Sequence, residues 1–240
     1  MRALSASELL YVWEVGLNQS CLHQALLLLA ATCPDIPQKQ LAQLSIGQRD
    51  NLLLTLREWT FGSHIQSLAI CPKCGERLEL AFEIADIRVS NPKLGETLSL
   101  NFADYDIEFR LPNSFDLITI TANKAEPRAL LERCLVQVSH DGEARDSKQL
   151  PTNVTNALVE QMAQADPQAD VQLNLSCPAC SYQWQSTFDI VSFFWSEINA
   201  WAIRILREVH ILASAYGWQE ADILAMSPYR RQLYLKMVGK

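Results

Sequence analysis

Two Cys-x-x-Cys pairs, Cys71-Pro72-Lys73-Cys74 and Cys177-Pro178-Ala179-Cys180, constrain this chain more than any other feature. Two intervening residues let a tight turn aim both sulfurs at one point, and four thiolates complete the tetrahedral sphere that zinc prefers. The small residues that follow the pairs, Gly75 and Ser181, relieve crowding where backbone amides approach sulfur, and Gly75 can also take positive φ. Both pairs sit in strand-like sequence. Residues 77–84 alternate polar and apolar after the first pair, and residues 171–175 and 182–188 alternate on either side of the second. A turn between strands is a zinc knuckle, and two facing knuckles make a zinc ribbon.

The separation is unusual. Roughly a hundred residues lie between the pairs, where ribbons encoded locally use about 15–20. The expected ribbon is therefore split, with a subdomain inserted between its halves. A metal closing so long a loop removes chain entropy worth about 4 kcal/mol.

Other uses of the cysteines fit less well. A catalytic zinc keeps one position open, whereas four cysteines close the sphere. Two matched pairs, each with an internal proline, argue against a thiol–disulfide active site. Disulfides need an oxidising compartment, and seven cysteines is an odd number. The zinc-deaminase pattern fails because no histidine is followed two residues later by glutamate. The reading is one structural Zn2+ on Cys71, Cys74, Cys177 and Cys180. Cys21, Cys33 and Cys134 lie in apolar or helical context and read as small buried hydrophobes.

Nothing else points to catalysis. The histidines (His23, His64, His140 and His210) are scattered, and there is no His-Glu-x-x-His, nucleophile elbow, phosphate loop or dinucleotide fingerprint. Eight glycines leave little material for a ligand-cradling loop. The carboxylates of Asp166 and Asp170 read as part of a helix stop. No enzyme activity and no small-molecule substrate are expected.

Charge bounds the partners. The net charge is −7 and the pI about 5.1, so the chain lacks the basic field of a nucleic-acid binder. Residues 71–190 hold 10 Lys/Arg against 18 Asp/Glu, whereas residues 191–240 hold 6 against 4. The basic end (Arg230, Arg231, Lys236, Lys240) is either a solvated face or a surface for an acidic partner. No leader pattern is visible, and the longest apolar run, residues 25–31, is far short of the ~20 residues that span a bilayer. A cytoplasmic protein without membrane insertion is expected.

Helical signals fill both ends. Ser7 is placed as the cap of a helix to Val15. Residues 21–31 and 37–44 form two more, and Ser45 with Gln48 makes a capping box for a helix that presents Leu52, Leu53, Leu56 and Trp59 on one face. Residues 98–102 and 105–111 read as a hairpin around Ala103-Asp104. Residues 114–121 fit either a helix or a strand, helices follow over 127–136 and 151–165, and 140–147 is a polar loop. From Val191 a helical period runs through Trp195, Ile198, Ala202, Ile205, Val209, Leu212 and Tyr216 to Gly217. Phe193, Phe194, Trp201, Ile203 and Leu206 form a second apolar set, as a central core helix or a partner-binding helix would. A short helix over 218–225 comes next, and Ser227-Pro228 opens the last one.

Three stretches together carry a family resemblance: Ser45 through Gly62 running into the first knuckle, Phe188-Asp189-Ile190 after the second, and Trp195-Ser196-Glu197-Ile198-Asn199-Ala200-Trp201-Ala202 with Leu206-Arg207-Glu208-Val209-His210. Tyr216 through Leu224 and Ser227-Pro228-Tyr229-Arg230-Arg231 complete the pattern. The chain resembles the baseplate hub assembly chaperone-like proteins of T-even-style contractile tails, found in phages and in phage-derived contractile injection systems. The resemblance spans nearly the whole chain, least in residues 86–165. It implies a non-enzymatic baseplate component or assembly factor whose partners are baseplate, hub or spike proteins, with incorporation in the baseplate of the assembled particle.

The expected fold is α+β. Residues 1–70 form an N-terminal helical region and 71–85 the first half of the ribbon. Residues 86–170 are an acidic α/β insert, 171–190 the second half of the ribbon, and 191–240 a C-terminal helical region. The alternative function is a zinc-ribbon adaptor that binds nucleic acid or transcription machinery. It predicts a basic patch, but the ribbon offers Lys73 and Arg77 against Glu76 and Glu79.

Overall fold

Capping residues and hydrophobic period together set the elements. The computed structural model describes residues 1–89, 97–146 and 150–239. In chain order the elements begin with helices α1 (Ala6–Gly16), α2 (Cys21–Thr32), α3 (Gln38–Gln43) and α4 (Ile46–Phe61), then strands β1 (His64–Ile70) and β2 (Arg77–Glu83) and the short helix α5 (Ile84–Ile87). They continue with β3 (Leu98–Phe102), β4 (Tyr105–Phe109), α6 (Ser114–Asn123), α7 (Pro127–Cys134), β5 (Leu135–His140), β6 (Glu143–Ala144) and α8 (Thr152–Ala165). The chain closes with β7 (Gln172–Ser176), β8 (Gln183–Thr187), α9 (Ile190–Tyr216), α10 (Glu220–Ala225) and α11 (Pro228–Val238). No helix among the described residues is long and apolar enough to cross a membrane.

The molecule mixes helix with small sheets and divides into two compact units, residues 1–36 with 190–240, and residues 37–189. The first unit is a helical bundle around α9. Ile198, Ala202, Ile205, Val209 and Leu212 of α9 form a buried stripe, packed with Leu10 of α1 and with Ile223 and Leu224 of α10. The second apolar set of α9 is split in place: Phe194 belongs to the buried stripe, while Ile203 is exposed. The cap of α1 is Ser5, not Ser7. Ser5 completes a capping box with Glu8, satisfying two backbone groups at once.

Among the described residues the second unit holds three sheets. Strands β3-β4-β5-β6 form one antiparallel sheet in that order. Its inner face, with Ile107, Phe109 and Val138, packs on Val154, Leu158 and Met162 of α8. Ala103 and Asp104, at φ 51° and 62°, make the tight turn of the β3–β4 hairpin. The other two sheets are the antiparallel hairpins β1–β2 and β7–β8.

Several expectations shift in this unit. β1 lies in the stretch expected to be N-terminal helical. Its inward residues are Ile65, Ser67 and Ala69, while Leu68 and Ile70 point outward, so its apolar pattern carries no strand signal. Residues 114–121 are helical because Asn113 and Asp116 form a capping box, which outweighs the β-branched content. The helix expected to Val136 stops at Cys134, since Leu135 onward pairs with β4. Residues 140–146 are not a simple loop: β5 turns through Asp141-Gly142 into β6. On α4 the buried leucines are Leu53, Leu54 and Leu56, while Trp59 is half exposed. Ser147 and Lys240 lie outside the described residues.

Candidate metal centre

The two hairpins bring all four cysteines of the paired motifs to one place. Their sulfurs lie within 4.8 Å of one another. Cys71 Sγ is 3.7 Å from Cys180 Sγ, and Cys74 Sγ is 3.6 Å from Cys177 Sγ. A tetrahedron with metal–sulfur bonds of about 2.3 Å has edges of about 3.8 Å. A disulfide would need about 2.05 Å, and all seven cysteines are free thiols. The contacts are crossed: the first cysteine of each pair meets the second cysteine of the other, an arrangement consistent with an approximate two-fold relation between the turns.

The turns repeat one another bond for bond. Cys71 N–H donates to the Glu76 carbonyl at 2.9 Å, and Cys177 N–H donates to the Tyr182 carbonyl at 2.9 Å. Gly75 N–H and Ser181 N–H each return a 2.9 Å bond to the carbonyl of the first cysteine in their own turn. Gly75 has φ +77°, and Ser181 adopts φ +57° without being glycine. Behind the turns the hairpins pack on each other. Cys71, Leu78 and Cys177 form a buried cluster bordered by Leu80 and Trp184, and Phe82 meets Phe188 edge-on at 5.6 Å. Lys73 Nζ lies 5.9 Å from the Tyr182 ring centre, joining one turn to the other.

The electrostatics favour a cation at this point. Burial alone would raise the Cys71 thiol, but backbone N–H groups of Cys74 and Lys73 and the thiols of Cys74 and Cys177 bring it down to about 7. Cys74 is pushed up to about 12. Its Glu76 backbone bond favours the thiolate, but bonds with Cys180, burial, and the Cys177 and Cys71 thiols outweigh it. Ionisation is thus eased at Cys71 and resisted at Cys74, where a nearby positive charge would favour the thiolate. The donor set fits a soft tetrahedral metal ion.

Of the remaining cysteines, Cys33 and Cys134 are buried as expected, but Cys21 is exposed. Burial pushes the Cys134 thiol up to about 11. Two structural nodes had no clear sequence signature. At the first, the buried Asp166 accepts from Gly47 N–H in the first turn of α4 at 2.9 Å. A Cβ at residue 47 would collide with this carboxylate, so glycine here permits close approach. Gln168 accepts from Val89 N–H at 2.7 Å and donates to the Ile87 carbonyl at 3.3 Å. Gln168, just after the Asp166-Pro167 stop, thus ties together the two ends of the stretch read as an insert. At the second node, the buried Asp116 receives Arg110 and Arg133. Burial would raise its carboxyl, but Arg110, the Asn113 backbone and Arg133 hold it below the usual range. This triad lines a cleft of about 620 Å³, where both arginines bond the one carboxylate.

Of the basic end, Arg231 is buried and bonds Glu208 at 3.1 Å, so its charge is used internally. Arg230 and Lys236 are exposed.

Comparison with known proteins adds one finding. The family model described as "T4 bacteriophage base plate protein" matches residues 5–195. No curated protein and no solved structure matches the chain.

Proposed function

The chain belongs to the T4 bacteriophage base plate protein family, and from that premise we propose that it is a non-enzymatic structural component or assembly factor of a contractile phage tail-like particle, held together by one structural zinc. The observation that carries the reading is the family match over residues 5–195. The cysteine cluster supports the structural part. Four thiols close the sphere, whereas a catalytic zinc keeps a position for water or substrate. In this reading Cys71, Cys74, Cys177 and Cys180 are the ligands. Residues 71–85 and 171–190 are the two halves of a split ribbon, and residues 86–170 are an insert carried by it.

The zinc would hold the turns of β1–β2 and β7–β8 against each other. The protein's own part is to orient the sulfurs through the paired backbone bonds and to seal their inner side with Leu78 and Trp184. Partners are other baseplate proteins, among them hub or spike components, met in the cytoplasm during assembly.

Deleting the gene in a producing strain tests the function. Electron microscopy should find particles missing or lacking baseplates, with a plasmid copy restoring them, and normal particles would refute the reading. Metal analysis of purified protein tests the site separately. One zinc per chain is expected, and iron or no metal would overturn the zinc assignment.

A further inference from the structure

α11 has two apolar faces. On its inner side Tyr234, Leu235 and Val238 join the core around α9. Arg231, on that same side, bonds Glu208 and donates to the Met226 carbonyl. On its outer side Tyr229, Leu233 and Met237 are 75%, 38% and 61% exposed. They recur every four residues, so they form one strip along the helix. Arg230 and Lys236 border it on opposite flanks, and the sequence of α11, PYRRQLYLKMV, contains no acidic residue.

The strip is rigidly presented. Ser227 caps the helix, accepting from Arg230 N–H at 3.3 Å, and Pro228 occupies the first turn. Tyr234 meets Trp218 edge-on at 4.8 Å, and the Arg230 guanidinium lies 5.7 Å from the Tyr234 ring centre. A frayed tail would not need these contacts, so the helix is held with its apolar strip facing out.

We propose that the outer face of α11 docks a different protein, one that presents an apolar centre ringed by Asp and Glu. That this partner is a neighbouring baseplate protein rests on the function proposed above. Charge selects the occupant. A second copy pairing strip to strip would set Arg230 and Lys236 against their own like charges. An anionic membrane or nucleic acid calls for a larger basic cluster, about 4–8 cations for a lipid surface, and α11 points two outward.

Site-specific photocrosslinking in particle-producing cells tests this, with p-benzoylphenylalanine at Tyr229 and, as control, at the exposed Tyr11. Position 229 should give an adduct with one protein, mapped by mass spectrometry to an acidic segment. Lys236→Glu should lower its yield about tenfold while Lys236→Arg keeps it. Leu233→Ser should also lower it, with an unchanged thermal melt showing that the bundle remains folded. An adduct with a second copy only, with lipid or nucleic acid, or a yield no greater than at Tyr11, would overturn the proposal. So would a yield indifferent to Lys236→Glu. An acidic partner from outside the particle would uphold the docking face and remove the baseplate reading.

Discussion

The hairpins β1–β2 and β7–β8 are the same device made from different sequence. Each turn carries the same pair of backbone bonds, and each supplies one buried and one more open cysteine. They differ in what surrounds that shared core. The first has seven-residue strands, Gly75 in the left-handed position and the exposed side chains Leu68 and Ile70. The second has five-residue strands, Ser181 in the same conformation, and an outer face of Gln172, Asn174, Ser176, Gln183, Gln185 and Thr187. What stays constant is what brings four thiols within 4.8 Å of one another, and the rest varies with each hairpin's own surroundings.

The largest expected effect comes from removing the shared feature. Cys177→Ser or Cys71→Ser should abolish tight metal binding and destabilise residues 37–189 by about 3–5 kcal/mol, read by chemical denaturation with and without chelator. The two substitutions should be equivalent, because each breaks one crossed contact. A metal-free Cys177→Ser protein of undiminished stability would refute a structural zinc that holds the two hairpin turns together. In the metal-free protein, pH separates Cys71 from its neighbours. Its thiol is held at about 7, below the ordinary value of 9.0. Between those values the unfolded thiol binds a proton that the folded one has released, so stability should rise with pH from about 7 to 9. Cys74, pushed up to about 12, acts in the opposite sense, but only above the ordinary thiol range. Cys71→Ser should flatten the rise, as measured by denaturation midpoints across that window.

Next come the side chains that seal the sulfurs from within. Leu78 is nearly buried, and its counterpart in the other hairpin, Trp184, is half-buried. Leu78→Ala should cost about 3 kcal/mol and Trp184→Ala about 2 kcal/mol. Both variants should keep one metal per chain. Loss of metal with either would mean that packing, more than the backbone bonds of the turns, aims the sulfurs.

This contrast also explains what could be read from sequence. The four-cysteine cluster was legible because a two-residue spacing, which puts both sulfurs of a pair on one turn, survives a hundred-residue interruption. β2, β7 and β8 were legible because one face of each is apolar and the other polar. β1 was not, because its outward residues Leu68 and Ile70 are more apolar than the inward Ser67 and Ala69. The bonds of Asp166 to Gly47 and of Gln168 to Ile87 and Val89 were illegible for another reason. They join residues some eighty or more positions apart, and no local pattern records such partners. Arg231 likewise looks like part of a basic tail until its bond to Glu208 is seen.

Smaller effects should follow from exchanging the residues after the two pairs. Gly75 has open space where a Cβ would sit, so Gly75→Ser should cost only backbone strain less the freedom serine gives up when unfolded, about 0.5–1 kcal/mol. Ser181→Gly should relieve the same strain and stabilise by about 0.5–1 kcal/mol, the gain reduced by glycine's greater freedom when unfolded. The double exchange should nearly cancel in thermal unfolding of the metal-loaded protein. A strongly destabilised double variant would show that Ser181 does more than occupy a left-handed position.

The smallest expected effect lies where the hairpins differ most. Leu68→Ser with Ile70→Thr would give β1 the polar outer face that β7 already has. Because these side chains are 67% and 64% exposed, the change should move stability by less than about 0.5 kcal/mol. Leu68 stands opposite Glu79, and Ile70 opposite Arg77, so each exposed apolar group has a charged neighbour and little packing to lose. A loss above about 1 kcal/mol in chemical denaturation would mean that the face is covered in the folded chain. The two hairpins would then differ in burial as well as composition.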